Sequence, residues 1–257
     1  MAEGGLCIPL QTTFVPPRGK QQLGYCKVAT TSDVANAVPQ RAAETLRKEP
    51  AMTTHLANMF KLFSVAFAGP TAERTELITN GVLAADFKST WEALELPQQP
   101  LDDFCALMKD YEGRDNQEAL HEIRCDFTRL FMLDRQCENC ESVFRKKAEG
   151  KIEVFYMVND MAMAIQDYMQ ECGVIRPQGY NEPVDRIDNE WEFCWRLAEG
   201  TELLSEQGID PIDRLDSFMD EHMKVWVPDF SEKLAQVAQC NYYRALALLQ
   251  AAFIKEF

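Results

Sequence analysis

No apolar run in this 257-residue chain approaches the roughly 18 residues expected of a membrane-spanning helix. The first residues also lack the apolar stretch of about 7–15 residues that marks a secretory signal. Histidine is scarce, with three copies at positions 55, 121 and 222, too scattered for a histidine-based metal centre. Basic side chains are outnumbered, 26 against 41 acidic, and the net charge of −15 excludes affinity for a phosphate backbone. Phosphate-cradling and nucleophile motifs are missing: there is no G-x-G-x-x-G, no P-loop and no G-x-S-x-G. Strand-like alternation and internal repeats are both lacking. The nine cysteines are too irregularly spaced for a disulfide scaffold, which suits a reducing compartment, and the cytoplasm is the expected location. These absences argue against a membrane protein, a nucleic-acid binder and the common catalytic classes, and no cofactor is expected.

What is present is a helical pattern. Hydrophobic residues make up 46% of the chain, enough for a packed core. Residues 1–51 differ from the rest: they carry 6 basic and 4 acidic side chains and are punctuated by Gly4-Gly5, Pro16-Pro17 and Pro39. A flexible extension is expected there, with a short helix near Asp33–Leu46 and with Met52 as an alternative start. The remaining 20 basic and 37 acidic side chains give residues 52–257 a net charge of −17. Such a body favours cationic partners, although charge of this size mostly confers solubility.

From Thr53 onward, apolar residues recur at helical spacing. Leu56, Met59, Phe60, Phe63 and Phe67 share a stripe that Gly69-Pro70 stops. Helices are predicted over Ala72–Thr79, Val82–Leu94 and Leu101–Tyr111. Asp115 followed by Glu118 is a capping-box start for the helix bearing Leu120, Ile123, Phe127, Leu130 and Phe131. One long or two short helices fill Val143 to Cys172, and a hinge-like linker at 173–184 leads to a helix from Pro183 to about Ser205. Asp210-Pro211 opens another, with proline at the first helical position. Asp229 to Glu232 reads as the cap of a last helix running nearly to Phe257. The expected fold is all-α, with nine to eleven helices in residues 52–257.

Several constellations invite a chemical reading. His121-Glu122-Ile123-Arg124-Cys125 matches the zinc-helix motif until its last position, where the second histidine is missing. Cys137 and Cys140 have metal or redox spacing, but no second pair lies nearby and no βαβ pattern surrounds them. They read as two thiols in an interhelical loop, with an intermolecular zinc site or a redox sensor as alternatives. Met157, Met161, Met163 and Met169, with Ile165, read as core rather than as an adaptable surface. Cys125, Cys194 and Cys240 read as small apolar residues within helices. The run Asn181–Phe193 places proline and then aspartate at a helix mouth. Asp185, Asp188, Glu192 and Glu199 fall off its apolar line of Ile187, Trp191, Cys194 and Ala198. By itself that run describes a helix with proline at its first position, acids at its positive end and a solvated face.

The run has company. Asn181-Glu-Pro-Val-Asp185, before a helix with Glu190-Trp-Glu-Phe193, resembles the signature linker of the TorD/DmsD family. Cys125-Asp-Phe-Thr-Arg-Leu-Phe131, Glu141-Ser-Val-Phe144, the set His222, Trp226, Pro228 and Phe230, and Asn241-Tyr-Tyr-Arg-Ala-Leu246 resemble further family blocks, in the family's order. The resemblance spans about residues 120–257 and weakens back to 52. It implies an all-helical cytoplasmic chaperone, not an enzyme, that binds the apo-form or the twin-arginine leader of a molybdopterin-type redox enzyme. A monomer or a domain-swapped dimer is implied, with 173–184 as the hinge. Matching positions make Pro183, Asp185, Arg186 and Glu190 the expected leader contacts, with Asp185 and Glu190 on the arginines and Leu130 and Phe131 on the apolar stretch. Two positions depart from the family: Arg186 stands where histidine is usual, and Met132-Leu133 replaces Gly-Pro after Phe131. An arginine at 186 would repel a cationic leader unless it is turned away or paired with Asp185 or Glu190. The alternatives are a helical adaptor that docks a folded partner, or a metal- or thiol-dependent enzyme centred on Cys137 and Cys140.

Overall fold

A computed structural model describes residues 50–150, 159–175, 177 and 179–257, with side chains from residue 53 on. The expected N-terminal extension, its short helix and Met157 lie outside these residues. The described chain is helical, and its one extended pairing is an isolated antiparallel bridge between Cys140 and Arg186. Its helices are α1 (Pro50–Phe67), α2 (Ala72–Thr79), α3 (Val82–Ala93), α4 (Gln98–Met108), α5 (Asn116–Phe127) and α6 (Glu141–Ala148). They continue with α7 (Asp160–Glu171), α8 (Ile187–Glu199), α9 (Glu202–Gln207), α10 (Pro211–Phe218), α11 (Lys224–Val237) and α12 (Asn241–Glu256). A π turn at Met219–Met223 fuses α10 and α11 into one rod, so the described residues hold eleven rods.

Local chemistry accounts for several boundaries. Thr71, Asp115, Asn159, Thr201 and Asp210 each accept a backbone N–H at the start of α2, α5, α7, α9 and α10. Gly173 ends α7 with φ +81°, and a Cβ there would lie 2.8 Å from the Leu203 Cβ, so conformation and space both demand glycine.

Two expected boundaries are corrected. The helix read from Pro183 to Ser205 starts at Ile187 and ends at Glu199, because residues 182–185 bend and turn and the backbone at Asp185 and Arg186 pairs with another segment. The helix read as capped at Asp229 starts at Lys224 instead. Phe230 and Leu234 continue the buried face of Trp226 and Val227, which carries the helix through Pro228 to Val237. The last helix begins afresh at Asn241.

The core is one contiguous apolar cluster running from Leu56 to Ile254. Helix α1 packs most extensively on α8, and α12 on α11 and α4. At the first of these interfaces Trp191 stacks between Phe60 and Phe63, with ring centroids 5.7 and 5.0 Å away, while Phe253 of α12 closes the aromatic box. A buried indole needs a partner for its N–H. Trp191 donates to Gln250 Oε1 at 2.8 Å, and Gln250 in turn donates to Ser231 Oγ at 2.7 Å. Ile165 and Met169 are buried and Met161 is half-buried, as the core reading expects, whereas Met163 is exposed.

Candidate functional site

The 182–187 segment reaches α8 as half of a short antiparallel ribbon. Glu141 N–H donates to Asp185 O and Ile187 N–H to Asn139 O, both at 2.8 Å. Cys140, the N-cap of α6, offers no side-chain cap, and the Asp185 carboxylate substitutes for one: Ser142 N–H donates to its Oδ2 at 2.9 Å. The linker is thereby bonded to the positive end of α6, where negative charge is favoured.

Behind the ribbon lies a buried acidic cluster. Asp185, Glu141 and Glu190 have no exposed surface. Glu141 is the best provided, with Arg145 Nη1 at 2.6 Å and His222 Nδ1 at 2.8 Å. Burial raises its pKa, but the hydrogen bond and charge of His222, joined by Arg145, outweigh that and hold it below the usual carboxylate range. The π turn positions this histidine by shifting the register between α10 and α11. Its ring stacks on Phe218. Glu190 accepts from Trp226 Nε1 at 2.9 Å through Oε2, while its Oε1 has no partner. Burial, then the charges of Glu141 and Asp185, push Glu190 well up. Asp185 is raised too, chiefly by burial and against the pull of Ser142, and its Oδ1 is likewise unpartnered.

Asp185 and Glu190 are therefore not on a solvated acidic face. Both are enclosed, and neither meets solvent in this conformation. Asp188 is also buried. Arg186 pairs with neither Asp185 nor Glu190, one of the two arrangements that would have relieved its repulsion of a leader. Its guanidinium makes a forked contact with Asp188 (2.5 Å to each oxygen) and a bond to Glu182 Oε2 at 2.6 Å. Its charge is thus matched by two carboxylates, which hold it protonated against the cost of burial. Pro183 lies in the linker, partly exposed and ahead of the helix, and its carbonyl accepts from Asn189 Nδ2 at 2.6 Å.

A second seam sits at the end of α5. Asp126 Oδ2 accepts the N–H groups of Gln239 and Cys240, at 2.8 and 2.9 Å, which lead into α12. Its Oδ1 accepts from Arg129, whose Nη2 also reaches Val237 O at 2.6 Å. The block Cys125–Phe131 thus fastens the turn between α11 and α12. A π turn at Thr128–Met132 follows, and it directs Leu130 and Phe131 inward. Phe131 packs edge-on to Phe127 and Tyr243. The exposed apolar residues are the next two, Met132 at 57% and Leu133 at 78%.

Cys137 and Cys140 are buried and free, with Sγ atoms facing Phe230 O and Asn139 Oδ1 at 3.8 Å. Burial pushes the Cys137 thiol up to about 12 and raises Cys140 as well, the opposite of what a ligand or nucleophile needs. Among the described residues no group of three or more His, Cys, Asp or Glu is placed to hold a metal ion. Their described helices include none long and apolar enough to cross a membrane.

The structure brings Asp185, Arg186 and Glu190 into one neighbourhood and places Leu130 and Phe131 in another. Sequence reasoning missed Glu141, Ser142 and His222 as partners of the linker. The signal was there, since Glu141-Ser142 and His222 stand in the blocks quoted above. Cys125 was read as a small apolar residue in a helix, but it is exposed beside His121. Cys240, read the same way, is the N-cap of α12.

The first seam, and the Asp126–Phe131 side of the second, fall within residues 92–232, the stretch matched by the family model described as nitrate reductase delta subunit. Curated proteins similar to this chain include Chaperone protein TorD of a Classical Ogawa strain of Vibrio cholerae serotype O1. That protein is 25% identical over 145 residues, which is 56% of this chain and 64% of the relative. The same-named protein of an El Tor Inaba strain is 28% identical over 149 residues, with the same coverage. Chaperone protein TorD of Vibrio parahaemolyticus serotype O3:K6 is 24% identical over 145 residues, 55% of this chain and 65% of the relative. The chain therefore spans somewhat less than two thirds of the length of these relatives. No solved structure matches it.

Proposed function

Because the chain belongs to the nitrate reductase delta subunit family, the TorD/DmsD group of chaperones, we propose that it is a non-catalytic maturation chaperone for a molybdopterin-type redox enzyme. In this reading it holds the apo-enzyme or its twin-arginine leader in the cytoplasm until the cofactor is in place and export can proceed. The observation that carries the reading is the family match over residues 92–232, together with relatives that are themselves named chaperones.

The geometry refines which residues would act. Asp185 and Glu190 are positioning residues, since a guanidinium could reach Asp185 only after the linker lifted from α6 and gave up the Ser142 bond. Arg186 is neutralised by Glu182 and Asp188, so the doorway carries no free positive charge toward a leader. Leu130 and Phe131 anchor the loop that presents Met132 and Leu133, and those two supply the apolar contact. The net charge of −15 attracts the twin arginines at long range, an effect that salt screens.

The test is fluorescence anisotropy with a labelled peptide bearing two arginines and the apolar stretch of a leader, combined with capture of precursor from native cells. Asp at both Met132 and Leu133 should weaken the peptide by about tenfold or more, equivalent to roughly 1.4 kcal/mol, with the fold intact. Added salt should weaken it further. Equal capture of mature and precursor enzyme, with no affinity for the leader peptide, would instead identify an adaptor for a folded partner and overturn the reading.

A further inference from the structure

Residues 132–136 stand exposed between buried Phe131 and buried Cys137. Both ends of this loop are tied to the π turn that precedes it. Leu133 N–H donates to Thr128 O at 2.9 Å, and Cys137 N–H donates to Leu130 O at 3.1 Å. Between the ties, Arg135 Nε donates back to Met132 O at 3.2 Å, which is the i to i+3 span of a tight turn. The backbone of Arg135 is left-handed, with φ +46°. Among the described residues Glu95, at φ +55°, is the other non-glycine residue in that region, and it has an ordinary reason. It follows the C-cap of α3, and its N–H returns to Glu92 O. Arg135 ends no helix, since the π turn is already capped at Leu133. A side chain in the left-handed region costs conformational energy that the surroundings must offset. What it provides here is a closed turn with Leu133 and Asp134 at its tip.

We propose that Arg135 is a positioning residue that presets Met132 and Leu133 for the apolar stretch of a leader. The inference rests on the reading of those two residues as the apolar contact. One exposed hydrogen bond adds little to the stability of a fold. Its leverage is local, because the ends of the loop are already fixed and the bond closes what remains. An apolar pair held in place before binding gives up less conformational freedom when a client arrives. The charge of Arg135 works the other way, since a guanidinium beside the contact disfavours the two arginines of a leader. Position and charge therefore predict opposite results when the side chain is changed.

The experiment compares Arg135→Gly and Arg135→Gln with the parent, in the full chain, by backbone amide relaxation, anisotropy with the labelled twin-arginine peptide, and urea unfolding. Glutamine carries a neutral N–H donor as many bonds from Cα as the arginine Nε. Glycine has no donor and accepts the left-handed backbone freely. In the parent the Leu133 and Asp134 amides should show order parameters near the rigid limit of about 0.85, falling toward about 0.6 in Arg135→Gly. That variant should bind the peptide about threefold to tenfold more weakly although it has lost a repelling charge, and its urea midpoint should not fall. Arg135→Gln should keep the order and bind at least as tightly as the parent. A tip that is mobile in the parent, or equally ordered in Arg135→Gly, overturns the proposal. Unchanged or tighter binding by Arg135→Gly overturns it too, as does Arg135→Gln behaving like Arg135→Gly. A parent chain without affinity for the peptide sinks the reading of Met132 and Leu133 and this use of the loop with it. The relaxation data then show separately whether Arg135 holds the turn.

Discussion

Two buried aspartates organise this molecule, and they are provided for very differently. Asp126 and Asp185 each reach from one element to the backbone that leads into a helix distant in sequence, and in both cases the N-cap is a cysteine with no capping bond of its own. Asp126 is fully matched: one oxygen takes two N–H groups and the other takes the guanidinium of Arg129. Asp185 spends one oxygen on Ser142, leaves the other unpartnered, and has Glu141 and Glu190 as neighbours rather than a cation. A buried charge with a partner locks a joint, whereas one without is held at a cost. The α11–α12 turn is therefore built to stay closed, and the docked linker is the joint that opens more easily. The proposed role, in which a client is taken up and released, calls for a joint of each kind.

The sharpest way to break this comparison is to remove the charge at each site. Asp126→Asn keeps one acceptor oxygen but turns an amide toward either Arg129 or the two backbone donors, and it leaves a largely buried guanidinium unpaired. We expect a loss of about 2–4 kcal/mol, read as a lower urea midpoint at unchanged slope. Asp185→Asn keeps the acceptor for Ser142, places its amide where an unpartnered oxygen stood, and removes a charge beside Glu141. That change should lie within about 1 kcal/mol of the parent. Equal losses at the two positions would mean that the distinction between the joints is wrong.

The sequence disclosed unequal amounts of the two joints, for a physical reason. Helices α2 and α3 and the Asp115 and Asp210 starts could be read because each depends on a few adjacent residues. The helix carrying Leu120 to Phe131 was readable too, as α5 and the turn that continues it. The π turns at 128–132 and 219–223 were invisible, since one extra residue per turn barely disturbs a local apolar pattern. They nevertheless decide that Leu130 and Phe131 face inward and that His222 faces Glu141. The linker misled for a related reason. Proline followed by acids is a good local description of a helix mouth, but the backbone of 185–187 pairs with 139–141, more than forty residues earlier. That pairing sets Asp185 against α6, while Trp226 and Glu141 lie beside Glu190. The Cys125 position was readable in principle, because it lies off the stripe of Leu120, Ile123 and Phe127.

Glu190 gives the smallest change at a single pH and the most specific test. Burial first, then the charges of Glu141 and Asp185, raise its folded value well above 4.5. From 4.5 up to that raised value the folded chain keeps the Glu190 proton while the unfolded chain has lost it. The folded state then binds the extra proton, and stability falls as pH rises through the window. Glu141 is lowered and acts in the opposite direction, its contribution being lost as pH falls below 4.5 toward its folded value. Glu190→Gln copies the shape of the neutral acid without the ability to ionise. Near pH 5 it should match the parent to within about 1 kcal/mol, since the Trp226 N–H still finds an oxygen. As pH rises the parent should weaken relative to the variant, and urea midpoints measured from pH 5 to 8 should diverge in the variant's favour. Asp185, raised for the same leading reason, keeps some of the slope in both proteins. Parallel curves across that range would show that Glu190 is already ionised in the folded chain, and that the linker rests on a charge rather than on a proton.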